Sequence, residues 1–209
     1  MTRRSWRLVC LAALGVIACG ACGETSTTPT NSPTNAAPSA SSGLPIERYF
    51  PIVHDHLWTY DSQSDDGATN SFLVRARRVR AEEGELITPR GSKRFAYMPE
   101  GIGVTDRAAF VLRLPLAIGT TWRGEHGGIS RIETVGATVN VAAGRFTDCV
   151  VTIEERGGDV RATYTTTFCP DVGIVLLEAE SGMQHERAEL RSYGPPVVLG
   201  PPGTTLIQP

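Results

Sequence analysis

Beyond residue 44 the apolar positions of the chain recur at every second residue. Val135, Ala137, Val139 and Val141 alternate with Gly136, Thr138 and Asn140, which is the pattern of a strand with one buried face. Cys149, Val151 and Ile153 repeat it against Asp148, Thr152 and Glu154. Ala162, Tyr164, Thr166 and Phe168 supply the partner strand, across a turn around Gly157-Gly158-Asp159. Further strands are predicted at 56–62, 69–79, 85–89, 92–98, 108–113, 119–124, 172–179 and 185–193. No segment carries an i, i+3, i+4, i+7 stripe beyond two turns, so the class is all-β, antiparallel and built of consecutive hairpins. The 22 Gly and 14 Pro agree with a chain that turns often.

One short pattern occurs twice. Pro51-Ile52-Val53 leads to Trp58, and Pro115-Leu116-Ala117 leads to Trp122, with seven positions from Pro to Trp in both. Each is an apolar corner, a turn and a strand opening on an aromatic, and the repetition suggests two related halves, about 49–111 and 112–193.

The N-terminus changes the picture from an ordinary globular chain to an exported one. Arg3, Arg4 and Arg7 precede an apolar run from Leu8 to Ala18, of signal-peptide length and too short to span a bilayer. The run ends in Val16-Ile17-Ala18-Cys19, which resembles the lipobox at which bacterial lipoproteins are cut before a Cys whose thiol is then acylated. An ordinary secretory signal with an incidental Cys is the alternative. Gly20, where an inner-membrane retention signal typically has Asp, favours the outer membrane, on its periplasmic face or at the cell surface. The chain therefore divides into a signal peptide 1–18, the lipidated Cys19 with a tether to residue 43, a β domain 44–194 and a Pro/Gly-rich tail 195–209. Residues 23–43 contain no aromatic or large aliphatic side chain and cannot offset their own ordering entropy. As a random coil, about twenty residues span roughly 25 Å. Cleavage leaves 17 basic against 22 acidic residues, a net charge of −5, so the lipid chain rather than charge must hold the module at the membrane. That balance and the exported address give no case for a nucleic-acid partner.

FPIVHDHLWTYD (50–61), LPLAIGTTW (114–122), VAAGRFTDC (141–149), FCPDVGIVLLE (168–178) and ELRSY (189–193) follow one another in an order that resembles a family of bacterial lipoproteins with a domain of unknown function. Its signatures read FPL-x-x-G-x-x-W-x-Y, LPL-x-x-G-x-x-W, VPAG-x-F-x-x-C and Y-x-P-G-V-G. The similarity covers nearly the whole domain. It departs at His54-Asp55-His56, which replaces a Gly-centred turn, and at Ala142, Phe168 and Asp171, which replace Pro, Tyr and Gly. The resemblance implies a curved antiparallel sheet or half-barrel over an apolar interior. It brings no catalytic residues.

Candidate chemistry is sparse. In an extended segment His54 and His56 project to one side about 7 Å apart, as two metal ligands could, against a turn or rim role beside Trp58 and Tyr60. Cys149 and Cys169 form a disulfide in an oxidising compartment, or remain two buried thiols; pairing the apolar faces sets residue 149 opposite 168, so a bridge requires a bulge before Pro170. Arg75, Arg77, Arg78 and Arg80 split two to each face of a strand, which reads as a charged, solvated edge strand. Glu154-Glu155 and Glu178/Glu180 read as solvated surface carboxylates. No nucleophile elbow, phosphate loop, dinucleotide fingerprint or H-E-x-x-H motif occurs, and no cofactor is implied.

The expectation is a non-enzymatic, membrane-anchored lipoprotein that binds an apolar ligand or an envelope partner. An apolar ligand would meet Trp58, Tyr60, Trp122, Tyr164 and Phe168, with Val151 and Ile153; the same list equally describes a dry core. The alternatives are a structural subunit of an envelope complex and an envelope hydrolase with an unrecognised site. Cys19→Ser is expected to move the protein from the detergent-extracted membrane fraction to the soluble exported fraction, read by cell fractionation; an unchanged distribution would disprove the acyl anchor.

Overall fold

The computed structural model describes residues 45–196; the signal peptide, Cys19 and its tether, and the tail from residue 197 lie outside the described residues. A 3-10 turn, Pro45–Tyr49, precedes twelve strands. The first six are β1 Leu57–Ser64, β2 Thr69–Arg78, β3 Glu83–Thr88, β4 Gly91–Met98, β5 Gly101–Val104 and β6 Ala109–Arg113. The second six are β7 Thr121–Arg123, β8 Ile129–Val141, β9 Gly144–Arg156, β10 Ala162–Cys169, β11 Gly173–Ser181 and β12 Gln184–Gly194. They form one antiparallel sheet in the order β6-β5-β4-β3-β2-β1-β12-β11-β10-β9-β8-β7. Two six-stranded meanders thus meet along β1 and β12. The free edges β6 and β7 curl round towards each other, joined by one bridge between Phe110 and Gly124 and by the Trp122 indole N–H donating to the Phe110 carbonyl (3.0 Å). The result is a nearly closed barrel of consecutive hairpins.

Every predicted strand is present. β5 was not anticipated, because two of its four residues are Gly and show no alternation, and neither was the first half of β8.

The repeated pattern has a common backbone geometry. His56 N–H donates to Val53 O (3.1 Å), and Thr120 N–H donates to Ala117 O (3.1 Å), at the same offset in the two halves. Asp55 and Gly119 are the left-handed residues of these turns, with φ of 63° and 85°. Asp55 N–H then reaches Ala76 O and Gly119 N–H reaches Ile132 O, so each turn is tied to the second strand of its own meander. Trp58 and Trp122 each occupy the second position of the strand that follows. A left-handed backbone favours Gly, and Asp is among the few side chains that tolerate it. Asp171, which also stands where the resemblance has Gly, has φ of 65°. Both substituted carboxylates are held by Arg: Asp55 by Arg75 and Asp171 by Arg48 (2.6 Å).

The interior face of the sheet carries Trp58, Tyr60, Val74, Phe95, Ile132, Val150 and Phe168, all buried. One end is stoppered by the chain's own N-terminal segment, in which Ile46, Phe50 and Ile52 are at most 5% exposed. The Tyr97 hydroxyl donates to Phe50 O (2.7 Å) and accepts from Ile52 N–H (2.9 Å). Arg78 lies over the Tyr97 ring at 4.5 Å and binds Glu47.

Three expectations are corrected. On β9 the buried positions after Cys149 are Val150, Thr152 and Glu154, while Val151 and Ile153 are only half-buried on the outer face. Cys149, Val151 and Ile153 do share one face, but it is the outer one, and of the three only Cys149 is buried. The register is consequently Val150 opposite Phe168, not residue 149, and Cys149 meets Cys169 directly, with S–S 2.05 Å and no bulge needed before Pro170. Finally, β2 is not an edge strand: it lies between β1 and β3, and its Arg residues are paired one by one, Arg75 with Asp55, Arg77 with Glu85, Arg78 with Glu47 and Arg80 with Glu83.

The disulfide closes a loop with a sequence separation of 20. Loop-closure entropy at that length amounts to about 3 kcal/mol. Replacing both Cys149 and Cys169 by Ala is expected to lower unfolding free energy by about that amount in denaturant titration, with reductant having no further effect on the variant.

Candidate functional site

Free volume in the barrel includes an apolar pocket, a polar interior end and a groove on the outer face. The apolar pocket lies between the N-terminal stopper and β1, β2 and β11, lined by Phe50, Ile52, Trp58, Tyr60, Phe72 and Leu177 among others, and has a cavity volume of about 50 Å³. Its polar groups are spent internally. The Trp58 indole N–H donates to Val172 O (2.8 Å) and the Tyr60 hydroxyl to Ile174 O (2.8 Å). Burial pushes the Tyr60 phenol well above its ordinary value, so it stays a neutral donor. Of the five expected ligand-contacting aromatics, only Trp58 and Tyr60 line this pocket. Phe168 and Trp122 are packed in the main core, and Tyr164 faces the opposite, polar end.

The polar end is built on Glu154. Its side chain, 6% exposed, points inward from β9 beneath the β7–β8 turn, Gly124-Glu125-His126-Gly127-Gly128. The carboxylate accepts the backbone N–H of His126 (2.9 Å) and of Gly128 (2.8 Å), and its second oxygen lies 3.0 Å from His126 Nδ1. Burial alone would raise its pKa, but these hydrogen bonds and the neighbouring imidazole outweigh it, and the carboxyl sits below its ordinary value. An ionised acceptor requires the proton on Nδ1, which leaves Nε2 of the neutral ring as an acceptor. The imidazole is further fixed by stacking on Tyr164, with ring centroids 3.8 Å apart and planes at 10°. Gly124 allows the approach: a Cβ there would stand 2.2 Å from the Glu154 carboxylate and from Ser130 Oγ. Around the turn, Lys93 pairs with Glu125, and Arg107 Nη1 donates to Glu125 O (3.0 Å). Across the same interior, burial raises the Glu186 carboxyl against the opposing pull of Arg90.

The outer groove has a cavity volume of about 490 Å³ and is lined by Asp61, Asn70, Ser71, Arg187, Glu189 and Arg191 among others, with Ala142 as its wall. A register shift in the β1–β12 pairing leaves Arg191 unmatched, beside Asp61 at 3.5 Å. Ser71 Oγ donates to Asp61 Oδ1 (2.6 Å), and Arg187 bridges Glu178 and Glu189. The wall is fixed where Ala143 N–H, at the tip of the β8–β9 hairpin, donates to Leu190 O (2.9 Å).

The remaining candidates are not brought together. His54-Asp55-His56 forms a tight turn rather than an extended segment, so the two imidazoles do not project as a pair. His54 is exposed beside Asp55, while His56 is half-buried against Trp58, and burial pushes its imidazole below the ordinary value. Among the described residues, no group of three or more His, Cys, Asp or Glu gathers as a metal site would require. Glu154 is the missed residue: it was read as solvated because the alternation marks Cys149, Val151 and Ile153 as the buried face of the strand. The three glycines around Glu125-His126 were the signal that the turn makes a close approach.

The depressed Glu154 pKa has a definite sign in stability. The folded value is below the ordinary 4.5, so ionisation favours the folded state; the contribution is fully present above 4.5 and is lost as pH falls through the folded value. Glu154→Gln is expected to cost about 1–3 kcal/mol at neutral pH. The stability curves of parent and variant should converge in acid, measured by denaturant titration from pH 7 downwards; parallel curves would refute the linkage.

No family model matches the chain, and no curated protein matches it. Among solved structures, it is similar to one described as an exported protein with a YmcC-like fold from Bacteroides fragilis NCTC 9343, at 12% identity and a TM-score of 0.44, over 69% of this chain and 97% of that one. It is also similar to one described as a lipoprotein from Parabacteroides distasonis ATCC 8503, at 10% identity and a TM-score of 0.45, over 70% of this chain and 98% of that one.

Proposed function

We propose that the chain is a bacterial lipoprotein, exported and acylated at Cys19, whose β domain serves the cell envelope as a binding module for a protein partner. The export segment and Val16-Ile17-Ala18-Cys19 support the address. The domain's role rests on one observation, the distribution of its free volume. The apolar interior cavity measures about 50 Å³, and the polar groove outside it about 490 Å³. Pockets that enclose a small ligand run to about 300–1,000 Å³. An acyl chain would have to displace the Ile46–Phe50–Ile52 stopper to enter, at about 1.5–3 kcal/mol for each large side chain exposed. The outer groove needs no such rearrangement. It is rigid, being built on β1, β2 and β12, and offers Asn, Ser, Thr, Gln and ionised side chains in place of an apolar face. Such a surface suits a polar partner docked on the sheet.

The exported protein carrying Cys19→Ser, purified without detergent, is expected to give the same mass under native and denaturing conditions. A photo-crosslinker placed at Asn70, in the groove, should capture one discrete envelope protein in cells, whereas one at Arg145, on β9 and outside the groove lining, should not. A stoichiometric apolar adduct, or capture that does not depend on position, would overturn the proposal.

A further inference from the structure

The β7–β8 turn that Glu154 anchors also forms one wall of a slot across the β6–β7 seam. The slot has a volume of about 210 Å³; its opposite wall is Arg107, Ala108 and Ala109, and Arg123, Glu125 and His126 complete it. Its charges are unevenly used. Arg107 is held by Asp106, Nε to Oδ1 at 3.2 Å and Nη2 to Oδ2 at 3.3 Å, and Glu125 is held by Lys93. Those two pairs cancel. Arg123 is exposed and has no ion pair among the described residues, so its guanidinium is open to an anion, while the ionised Glu154 beneath His126 leaves the turn as a whole without net charge. Beside it His126 is locked in one tautomer, with Nδ1–H committed to the Glu154 carboxylate and Nε2 left as an acceptor 4.0 Å from Glu125 Oε1. The ring cannot swing away, because Tyr164 stacks on one face of it.

From this combination we infer that the slot binds a small oxyanion that carries its own hydroxyl, of which hydrogen phosphate is the simplest. The anionic oxygens satisfy Arg123, with Arg107 pre-oriented beside it, and the P–O–H donates to His126 Nε2. A dianion without a proton sets a bare oxygen against that lone pair and against Glu125. The slot therefore distinguishes hydrogen phosphate from sulfate, which match in charge at pH 8 and differ in the one donor. One hydrogen bond to a charged group corresponds to roughly tenfold in affinity.

The experiment is calorimetric titration of inorganic phosphate and of sodium sulfate, at pH 8 and fixed ionic strength, into the full mature chain in detergent. Saturable phosphate binding is expected, about tenfold tighter than sulfate. Arg123→Ala, an exposed substitution, should weaken phosphate at least tenfold while leaving the melting temperature unchanged, and Arg145→Ala, outside the slot, should leave binding intact. Absence of saturable phosphate binding, equal affinity for the two ions, or binding that survives Arg123→Ala would each overturn the inference.

Discussion

A sheet of twelve strands that curls until its edges almost meet has to be filled. Eight strands close around an interior just wide enough for their own side chains, and sixteen or more leave a water-filled channel. Twelve lie between, and here the space is taken by the chain itself. The segment that precedes β1 turns inward and buries Ile46, Phe50 and Ile52 against the interior faces of both meanders. Its polar backbone could not be left unpaired there, and Tyr97 answers this by serving Phe50 O and Ile52 N–H with a single hydroxyl. Arg78 closes the arrangement from β2. The direction in which the N-terminal segment enters thus decides that the apolar half of the barrel is a core.

The other half is filled by different chemistry. Glu154 points inward and would be costly there alone, since burial disfavours its charge. The β7–β8 turn supplies two backbone N–H groups and an imidazole to it, and in doing so folds down over the seam between β6 and β7. One buried carboxylate therefore both closes the barrel and orients His126. The seam is otherwise held by one bridge, one indole hydrogen bond and the contacts of Lys93 and Arg107 with Glu125. Because each end of the barrel is stoppered by its own chain, accessible volume is displaced to the outer groove and to the slot at the seam.

The two meanders share more than strand number. The turns before β1 and β7 have the same hydrogen bonds at the same offsets, with Asp55 and Gly119 in the same left-handed conformation. At Asp55 and Asp171 the backbone is left-handed, and each carboxylate is paired with an Arg.

Much of this could be read from the order of residues. Period-two alternation placed every strand except β5, whose glycines have no face to alternate, and the Pro-to-Trp echo marked both corners. Such features are local: a pleat or a tight turn is decided by neighbours in the chain. The site was not legible in the same way. On β9 the face that the alternation marks as apolar is the outer one, so Val151 and Ile153 lie outward and Glu154 lies inside. The meeting of Glu154 with His126 depends on the bulged β8–β9 register, and that of Cys149 with Cys169 on the register of β9 against β10. The sequence by itself determined the class and the corners. Only the tertiary structure decided which face was inside, because a one-residue shift in an extended strand changes every side chain's direction while leaving the alternation intact.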